Sequence, residues 1–411
     1  MRFTKPTKVV GLDIGTHSIK AVQMSKSGGK LRIDDVGYAL VDRNQVNIDP
    51  IAAHSNAVRE AVRTMPIGQS VVVGALPGQT VVIRYPRLRN MALNEIDRAI
   101  ESEAGQNIPY DLAEVFLDWS LLEEEGEGDD KQLKVLLVAA KHEVIDSRVQ
   151  IADAAEIQYS VLTVDSLALA DAAEGCDFMR VGETVALINI GASSVSIHFT
   201  RDGVSNFIRD VSWGARELIQ AISKGRRCDY ENAERMLHNI EQELQQSALA
   251  QAASAAPEPE PPTQAGAGKG GENLSSLLDP LGDELDAPAP PPKTSSGGYG
   301  SNLSGDAESS LADLLATPVS RLVSEIRRSF DYYEHQLYEK PVDRIILSGG
   351  VAHISLIRDA LVEDLGVENV IMADPSTSAI AVAGNVTSEF TKHPAQFMVA
   401  VGLAARGTAE L

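Results

Sequence analysis

Apolar positions along the chain recur at a spacing of two in some stretches and of three to four in others, so strands and helices alternate. Residues 8–42 read as a hairpin followed by a third strand at 36–41. A helix at 51–64 and strands at 71–76 and 81–86 come next, the last ending in a turn with Arg87 and Arg89. From Asn94 the spacing turns helical: Ile96, Ala99, Ile100 and Ala104 share one face, closed by Asn107-Ile108-Pro109. Strands at 115–122 and 134–140 flank an acidic, glycine-bearing loop at 123–131, and a helix at 143–155 leads to a strand at 160–165. The order strand-helix-strand-strand-helix within 81–165 predicts a small α/β subdomain, about residues 84–158, inserted into a larger first lobe.

The periodic pattern stops between about 245 and 316, where prolines and glycines cluster and ten acids outnumber two lysines. Too little apolar surface is present there to offset the entropy of ordering, and a disordered insert is expected. Two leucine-bearing islands interrupt it, Asn273–Asp279 and Ser310–Leu315, read either as docking helices or as transient helices without a partner. Order is expected to resume with Pro318 as a first helical residue. Val319, Leu322, Val323, Ile326, Phe330, Tyr333 and Leu337 then form one apolar stripe.

The chain also repeats itself. Val10-Gly11-Leu12-Asp13-Ile14-Gly15-Thr16-His17-Ser18-Ile19-Lys20-Ala21-Val22 returns about 176 residues later as Ala186-Leu187-Ile188-Asn189-Ile190-Gly191-Ala192-Ser193-Ser194-Val195-Ser196-Ile197-His198. At the same offset Asp34 and Val36 fall opposite Asp210 and Ser212. Each copy is an apolar strand, a tip of small residues and a second apolar strand. Such tips let backbone N–H groups close around an anion. Gly15 and Gly191 are expected to take backbone angles closed to other residues and to leave room for phosphate oxygens. Thr16, Ser18, Ser193 and Ser194 offer hydroxyls, and His17 and Ala192 complete the tips. Lys20 adds positive charge on the strand face of Ser18. Asp13 stands two residues before its glycine, where one carboxylate suffices for a hydrated Mg²⁺.

A third element follows: the apolar strand Arg344–Leu347, the turn Ser348-Gly349-Gly350-Val351 and a helix with apolar positions at 354, 357 and 361. Backbone without side chains at Gly349 and Gly350 can lie beside a ribose and an α-phosphate. Three such segments in this order read as one nucleotide site rather than as unrelated hairpins. Glu325, Arg328 and Ser329, on the polar side of the preceding helix, are expected to face the base.

At 411 residues the chain is long for one core and sufficient for two α/β lobes. Its 58 acidic and 36 basic residues, a net charge of −22, argue against non-specific binding to nucleic acid or anionic lipid. Cys176 and Cys228 are too few for a disulfide framework or a zinc site. No apolar run reaches the length of a membrane span, and no signal-peptide core follows Met1, so a soluble cytoplasmic protein is expected.

The two hairpins and the Gly-Gly turn resemble the phosphate 1, phosphate 2 and adenosine motifs of the actin-like ATPase superfamily. Glu95–Ala104, Asn107-Ile108-Pro109-Tyr110 and Val115-Phe116-Leu117-Asp118 resemble the inserted subdomain of the PilM family of pilus-assembly proteins. Leu136–Lys141, Glu325–Tyr333 and Ala400–Arg406 fit the same family. The resemblance implies a two-lobed actin-like fold of the α/β class, a duplicated RNase H-like unit close to the cell-division protein FtsA. The first lobe would span 1–180, the second 181–384 around the disordered insert, and 385–411 would return to the first. The resemblance also implies ATP and Mg²⁺ as ligands and a place at the inner face of the inner membrane, in a type IV pilus or type II secretion-like machine. The implied partner is a bitopic PilN-like protein. Its N-terminal cytoplasmic peptide would lie in a groove between the first-lobe core and the inserted subdomain, around 84–120.

Two departures from the superfamily change these expectations. Asn189 stands where its ATPases generally place Asp; an amide brings no charge to Mg²⁺ and cannot act as a base, so hydrolysis should be weak or absent. The last helix ends near Arg406, short of the amphipathic membrane helix of FtsA-type proteins, so recruitment through the partner is expected rather than direct membrane insertion. Self-association into an FtsA-like filament leaves no readable motif and stays open. A small-molecule kinase of the same fold also stays open, with Asp165 as its one candidate base.

Overall fold

The structure is a computed structural model that describes residues 7–126, 131–246 and 309–409. The chain opens with β1 (Lys8–Ile14), β2 (Ser18–Ser27) and β3 (Lys30–Leu40), then α1 (Arg43–Val46), α2 (Pro50–Ala61) and β4 (Ser70–Leu76). Next come β5 (Val81–Arg84), β6 (Arg87–Arg89), α3 (Leu93–Asn107), β7 (Val115–Glu125) and β8 (Gln132–Lys141), followed by α4 (His142–Ala154), β9 (Val161–Val164) and α5 (Asp165–Gly175). A second series contains β10 (Thr184–Ile190), β11 (Val195–Arg201), β12 (Val204–Val211), α6 (Ala215–Arg226), α7 (Tyr230–His238) and α8 (Leu311–Asp331). It continues through β13 (Arg344–Gly349), α9 (Ser355–Leu365), β14 (Val370–Met372), β15 (Ala381–Asn385), α10 (Ser388–Lys392) and α11 (Met398–Ala409).

The internal repeat is a repeat of topology. One sheet has the order β15-β3-β2-β1-β4-β9 and the other β12-β11-β10-β13-β14. Apart from β15, each is an antiparallel meander of three strands extended by two parallel ones. The registers agree as well: Asp13 pairs with Lys20 and Asn189 with Ser196. Both meanders carry a bulge at the same place, between Gln23 and Met24 and between Phe199 and Thr200. Past the bulges the copies diverge, because the turn at Gly28-Gly29 comes later in the first. Lys20 pairs with Tyr38 whereas Ser196 pairs with Asp210, so the structural counterpart of Asp210 is Tyr38 and not Asp34.

In the inserted sheet β8 is central, with β7 along one edge and β5 and β6 in tandem along the other. The arginine-rich stretch expected as a turn is therefore strand β6. The helical face foreseen in α3 holds: Ile96, Ile100 and Ala104 pack with Leu88, Val135 and Leu137.

Helix α8 corrects the expected end of the insert. It begins at Leu311, not Pro318, behind a capping box in which Ser310 and Asp313 bond each other's backbone N–H. Leu311, Leu315, Pro318, Val319, Leu322 and Ile326 are all buried on one stripe. That packing accommodates a proline inside the helix despite the lost N–H. The island Ser310–Leu315 is thus the first turn of a core helix; the island Asn273–Asp279 lies outside the described residues.

One core is built from both sheets. Val22, Met24 and Ile33 meet Val185, Leu187 and Ile346 through α5 and the C-terminal residues Phe390, Phe397 and Met398. Backbone approaches are close there: a Cβ on Gly402 of α11 would lie 1.7 Å from the Ala168 carbonyl oxygen of α5. No described helix is long and apolar enough to cross a membrane.

Candidate functional site

The two hairpin tips meet. Both are closed by the same bond, Gly15 N–H to Ser18 O at 3.2 Å and Gly191 N–H to Ser194 O at 2.9 Å. The hydroxyls of Thr16 and Ser193 then stand 3.2 Å apart between the lobes. They open onto a cleft of about 640 Å³, lined also by Asp13, Gly15, His17, Ser18, Lys20, Asn189, Gly191, Ala192, Ser194, Gly349, Gly350 and Val351. The tip residues, Asp13, Lys20, Asn189 and the Gly-Gly-Val turn named from the sequence are therefore on its wall. Glu325 and Arg328 are not. They border a separate depression of about 580 Å³ with Arg209, Glu217 and Ser320, and pair with each other at 2.7 Å. Ser329 is buried and donates to the Glu325 carbonyl, because α8 turns its apolar stripe inward and carries those polar residues away from the cleft.

Glycine works here through space more than through unusual angles. Neither Gly15 nor Gly191 has positive φ, contrary to expectation; a Cβ would instead lie 2.8 Å from Ser18 O and 3.1 Å from Ser194 O. Gly349 does need glycine, with φ of 98° and a would-be Cβ 2.2 Å from Ile190 O.

Charges in the cleft are paired across strands. Lys20 Nζ lies 3.5 Å from Asp13 Oδ2, and both side chains are largely sheltered. Arg148 and Arg216 add positive charge to the wall, and Arg148 donates to the Ile14 carbonyl at 2.8 Å. His17 is held down at about 4, chiefly by burial and then by Lys20, Arg43 and Arg216. It is therefore neutral near pH 7, and its 3.6 Å approach to Glu234 is not an ion pair.

Asp165, Asp210 and Asp13 lie within electrostatic reach of one another, while Asn189 is uncharged. Asp165 accepts N–H bonds from Gly78 at 2.9 Å and Ser166 at 2.7 Å. Burial, then the neighbouring Asp210 and Asp13, push its carboxyl up to about 7. Asp210, which lies outside the cleft, is raised to about 6 by burial, partly offset by the neighbouring Ser196 hydroxyl. Gly78 passes so close to it that a Cβ would lie 2.4 Å from its Oδ2. Asn189 Oδ1 accepts from the Ser348 hydroxyl at 3.2 Å. In the duplicated register the row Asp13-Lys20-Tyr38 has become Asn189-Ser196-Asp210. The second lobe thus carries its carboxylate two strands away from its tip.

This donor set fits a nucleoside triphosphate: two tips of N–H and hydroxyl groups, Lys20, and the bare backbone of Gly349 and Gly350 on the wall. Among the described residues no three His, Cys, Asp or Glu side chains form a metal-binding group. A Mg²⁺ that keeps most of its waters needs only a carboxylate such as Asp13.

Tyr230, Glu234 and His238 of α7, with His353 and His393, also line the cleft and were not foreseen. They sit on a polar helix face and in loops, where sequence periodicity marks solvent exposure and gives no sign of a second wall. For the three on α7 the one available signal was position in the chain, between the second hairpin and the Gly-Gly turn.

The family model described as type IV pilus assembly protein PilM matches residues 11–250 and 302–408. A chain of the PilM–PilN type IV pilus biogenesis complex is similar, with a TM-score of 0.70 and 20% identity, covering 97% of this chain and 98% of that one. The ethanolamine utilization protein EutJ from Carboxydothermus hydrogenoformans is similar at a TM-score of 0.49 and 10% identity, over 98% of this chain and 90% of that one. The duplicated sheets around a common cleft are the two-lobed actin-like fold.

Proposed function

The chain belongs to the type IV pilus assembly protein PilM family, and from that premise we propose that it is a nucleotide-clamped scaffold of a type IV pilus or type II secretion-like assembly platform. In this reading Mg-ATP occupies the cleft and binds a membrane partner's peptide-holding scaffold together, with little turnover. The observation that carries it is the 3.2 Å meeting of Thr16 and Ser193, which aims one hairpin from each lobe at a single phosphate chain.

The division of labour follows from the residues. The N–H groups and hydroxyls of both tips bind phosphate oxygens, Lys20 neutralises part of their charge, and the bare backbone at Gly349-Gly350 takes the ribose side. Asp13 would hold Mg²⁺ through its waters; the ion, when bound, supplies charge neutralisation between the lobes. Asn189 supplies no negative charge. Asp165, the candidate base on the wall, has its carboxyl pushed up to about 7 by burial and is tied down by two backbone N–H groups. Slow hydrolysis or none follows.

The partner in this reading is a PilN-like inner-membrane protein, and the known similarity is to a PilM chain in complex with PilN. Its N-terminal cytoplasmic peptide would bind beside the inserted subdomain and hold this chain at the inner face of the membrane. What supports that part is β7, whose outer edge pairs with no strand among the described residues and which presents Phe116 at 58% exposure. An unpaired edge with an apolar side chain suits an extended peptide. Titration with such a peptide tests it: Phe116→Ala should weaken binding about tenfold, the range for truncating one aromatic anchor. Equal affinity for the variant would remove β7 from the groove.

A further inference from the structure

Arg43 is the first residue of α1, three residues past the end of β3 at Leu40, and it reaches from the first lobe to the second. Its Nη2 donates to Glu234 Oε1 at 2.9 Å and stands 3.4 Å from His17 Nδ1. Its guanidinium carbon lies 3.6 Å from the centre of the Tyr230 ring. Tyr230 and Glu234 are four residues apart on α7, hence on one face. Both line the cleft, as does His17 of the first tip.

The anchoring on each side is firm. α1 is capped by Asp42, whose carboxylate accepts from the N–H groups of Asn44 and Gln45. Just before it, Val41 N–H bonds the His17 carbonyl at 2.9 Å. On the far side Asp229 caps α7 by accepting from Asn232 N–H. A planar guanidinium that stacks on one ring and bonds one carboxylate has a defined geometry, which a lysine would not reproduce. Other polar ties to the second lobe lie elsewhere, among them Tyr85 to Ser205 at 2.7 Å and Lys134 to Asn206 at 2.6 Å, which engage β12. Breaking the Arg43 contacts therefore leaves those ties in place.

We propose that Arg43, clasped to Glu234 and Tyr230, is a positioning residue that retains nucleotide by fastening α1 to α7 across the cleft. The proposal rests on the reading that nucleotide occupies this cleft. With the clasp closed the lobes cannot part at that wall; with it open a ligand held by both tips leaves faster. His17, uncharged near pH 7, accepts one Arg43 N–H and so links the clasp to the first phosphate tip.

The test is the release of a fluorescent ATP analogue from the full chain, chased with unlabelled ATP in a stopped-flow instrument. Arg43→Ala should speed release roughly five- to tenfold, as expected for the loss of one partly exposed ion pair and one cation–π contact, with uptake little changed. Tyr230→Leu should give part of that effect. The exchange Arg43→Glu with Glu234→Arg should recover part of the slow release that either single change destroys, because it restores the ion pair but not the stacking on Tyr230. Arg43 and Glu234 are 38% and 32% exposed, outside the buried core, and each variant is expected to fold. Unchanged release in both Arg43→Ala and Tyr230→Leu, with normal uptake, overturns the clasp alone. No uptake by the unaltered protein overturns the clasp and the nucleotide reading together.

Discussion

At the scale of single residues the account turns on charge. Among the described residues Lys20 is the one lysine on the cleft wall, and Lys20→Ala should weaken ATP binding about tenfold or more, as for the loss of a hydrogen bond to a charged group. Calorimetric titration of the variant checks this; unchanged affinity would move the phosphates elsewhere. Asp165 makes a pH prediction. Its folded carboxyl, near 7, lies above its ordinary 3.8, so the folded state keeps a proton that the unfolded chain has lost. That contribution favours folding at low pH and is lost as pH rises through 7. Asp165→Asn keeps the acceptor for Gly78 and Ser166 and removes the buried charge. Its melting temperature should exceed the parent's by a margin that grows from pH 4 to 7 and then levels off. His17 and His198, both held near 4 mainly by burial, act in the opposite direction, losing stability as pH falls from 6.5, and they cancel in this comparison. A margin independent of pH would mean that Asp165 is not sheltered as described. The tip residues were legible in sequence because the same tip occurs twice at one spacing and a Gly-Gly turn follows, whereas a single such tip is an ordinary hairpin turn. Asp210 was not: its offset matched Asp34, and only the register across the bulge shows that it corresponds to Tyr38.

Elements were read well where one face is apolar and less well where packing overrides a local preference. Proline at 318 signalled a helix start, yet the buried stripe from Leu311 to Ile326 and the Ser310–Asp313 box carry the helix through it. Leu315, with no exposure, gives the direct check. Leu315→Ala should cost about 2–5 kcal/mol in chemical denaturation, as core leucines do; a change below 1 kcal/mol would return this turn to the insert. The contact of α11 with α5 offers a second test. Gly402→Ala drives a methyl group into the Ala168 carbonyl, and a backbone atom cannot swing aside as a side chain can. A lower denaturation midpoint at unchanged slope, by about 1–3 kcal/mol or more, is expected. No such cost would mean that the two helices stand further apart. Neither approach could be read from sequence, since a glycine in an apolar helix looks the same whether or not another backbone passes over it.

For the whole molecule the duplicated sheets explain why one ligand can join two lobes. Each lobe brings the same hairpin, in the same register, to the same cleft, and a shared core of Val22, Leu187, Phe390 and Phe397 ties the lobes at its base. Nucleotide binding by both tips would favour closure over opening, the usual basis of hinge motion around a ligand. Family and fold were legible because three motifs occur in order over most of the chain. The α7 wall, with Tyr230 and Glu234, was not, because a polar helix face has the same pattern whether it meets water or a ligand. The central claim is a cleft that holds Mg-ATP and scarcely turns it over. The most direct measurement titrates the full chain with Mg-ATP while following bound nucleotide and released phosphate in the same sample. The account predicts saturable binding of one nucleotide per chain with phosphate release far slower than nucleotide exchange. Steady multiple-turnover release, or no binding at all, would contradict it.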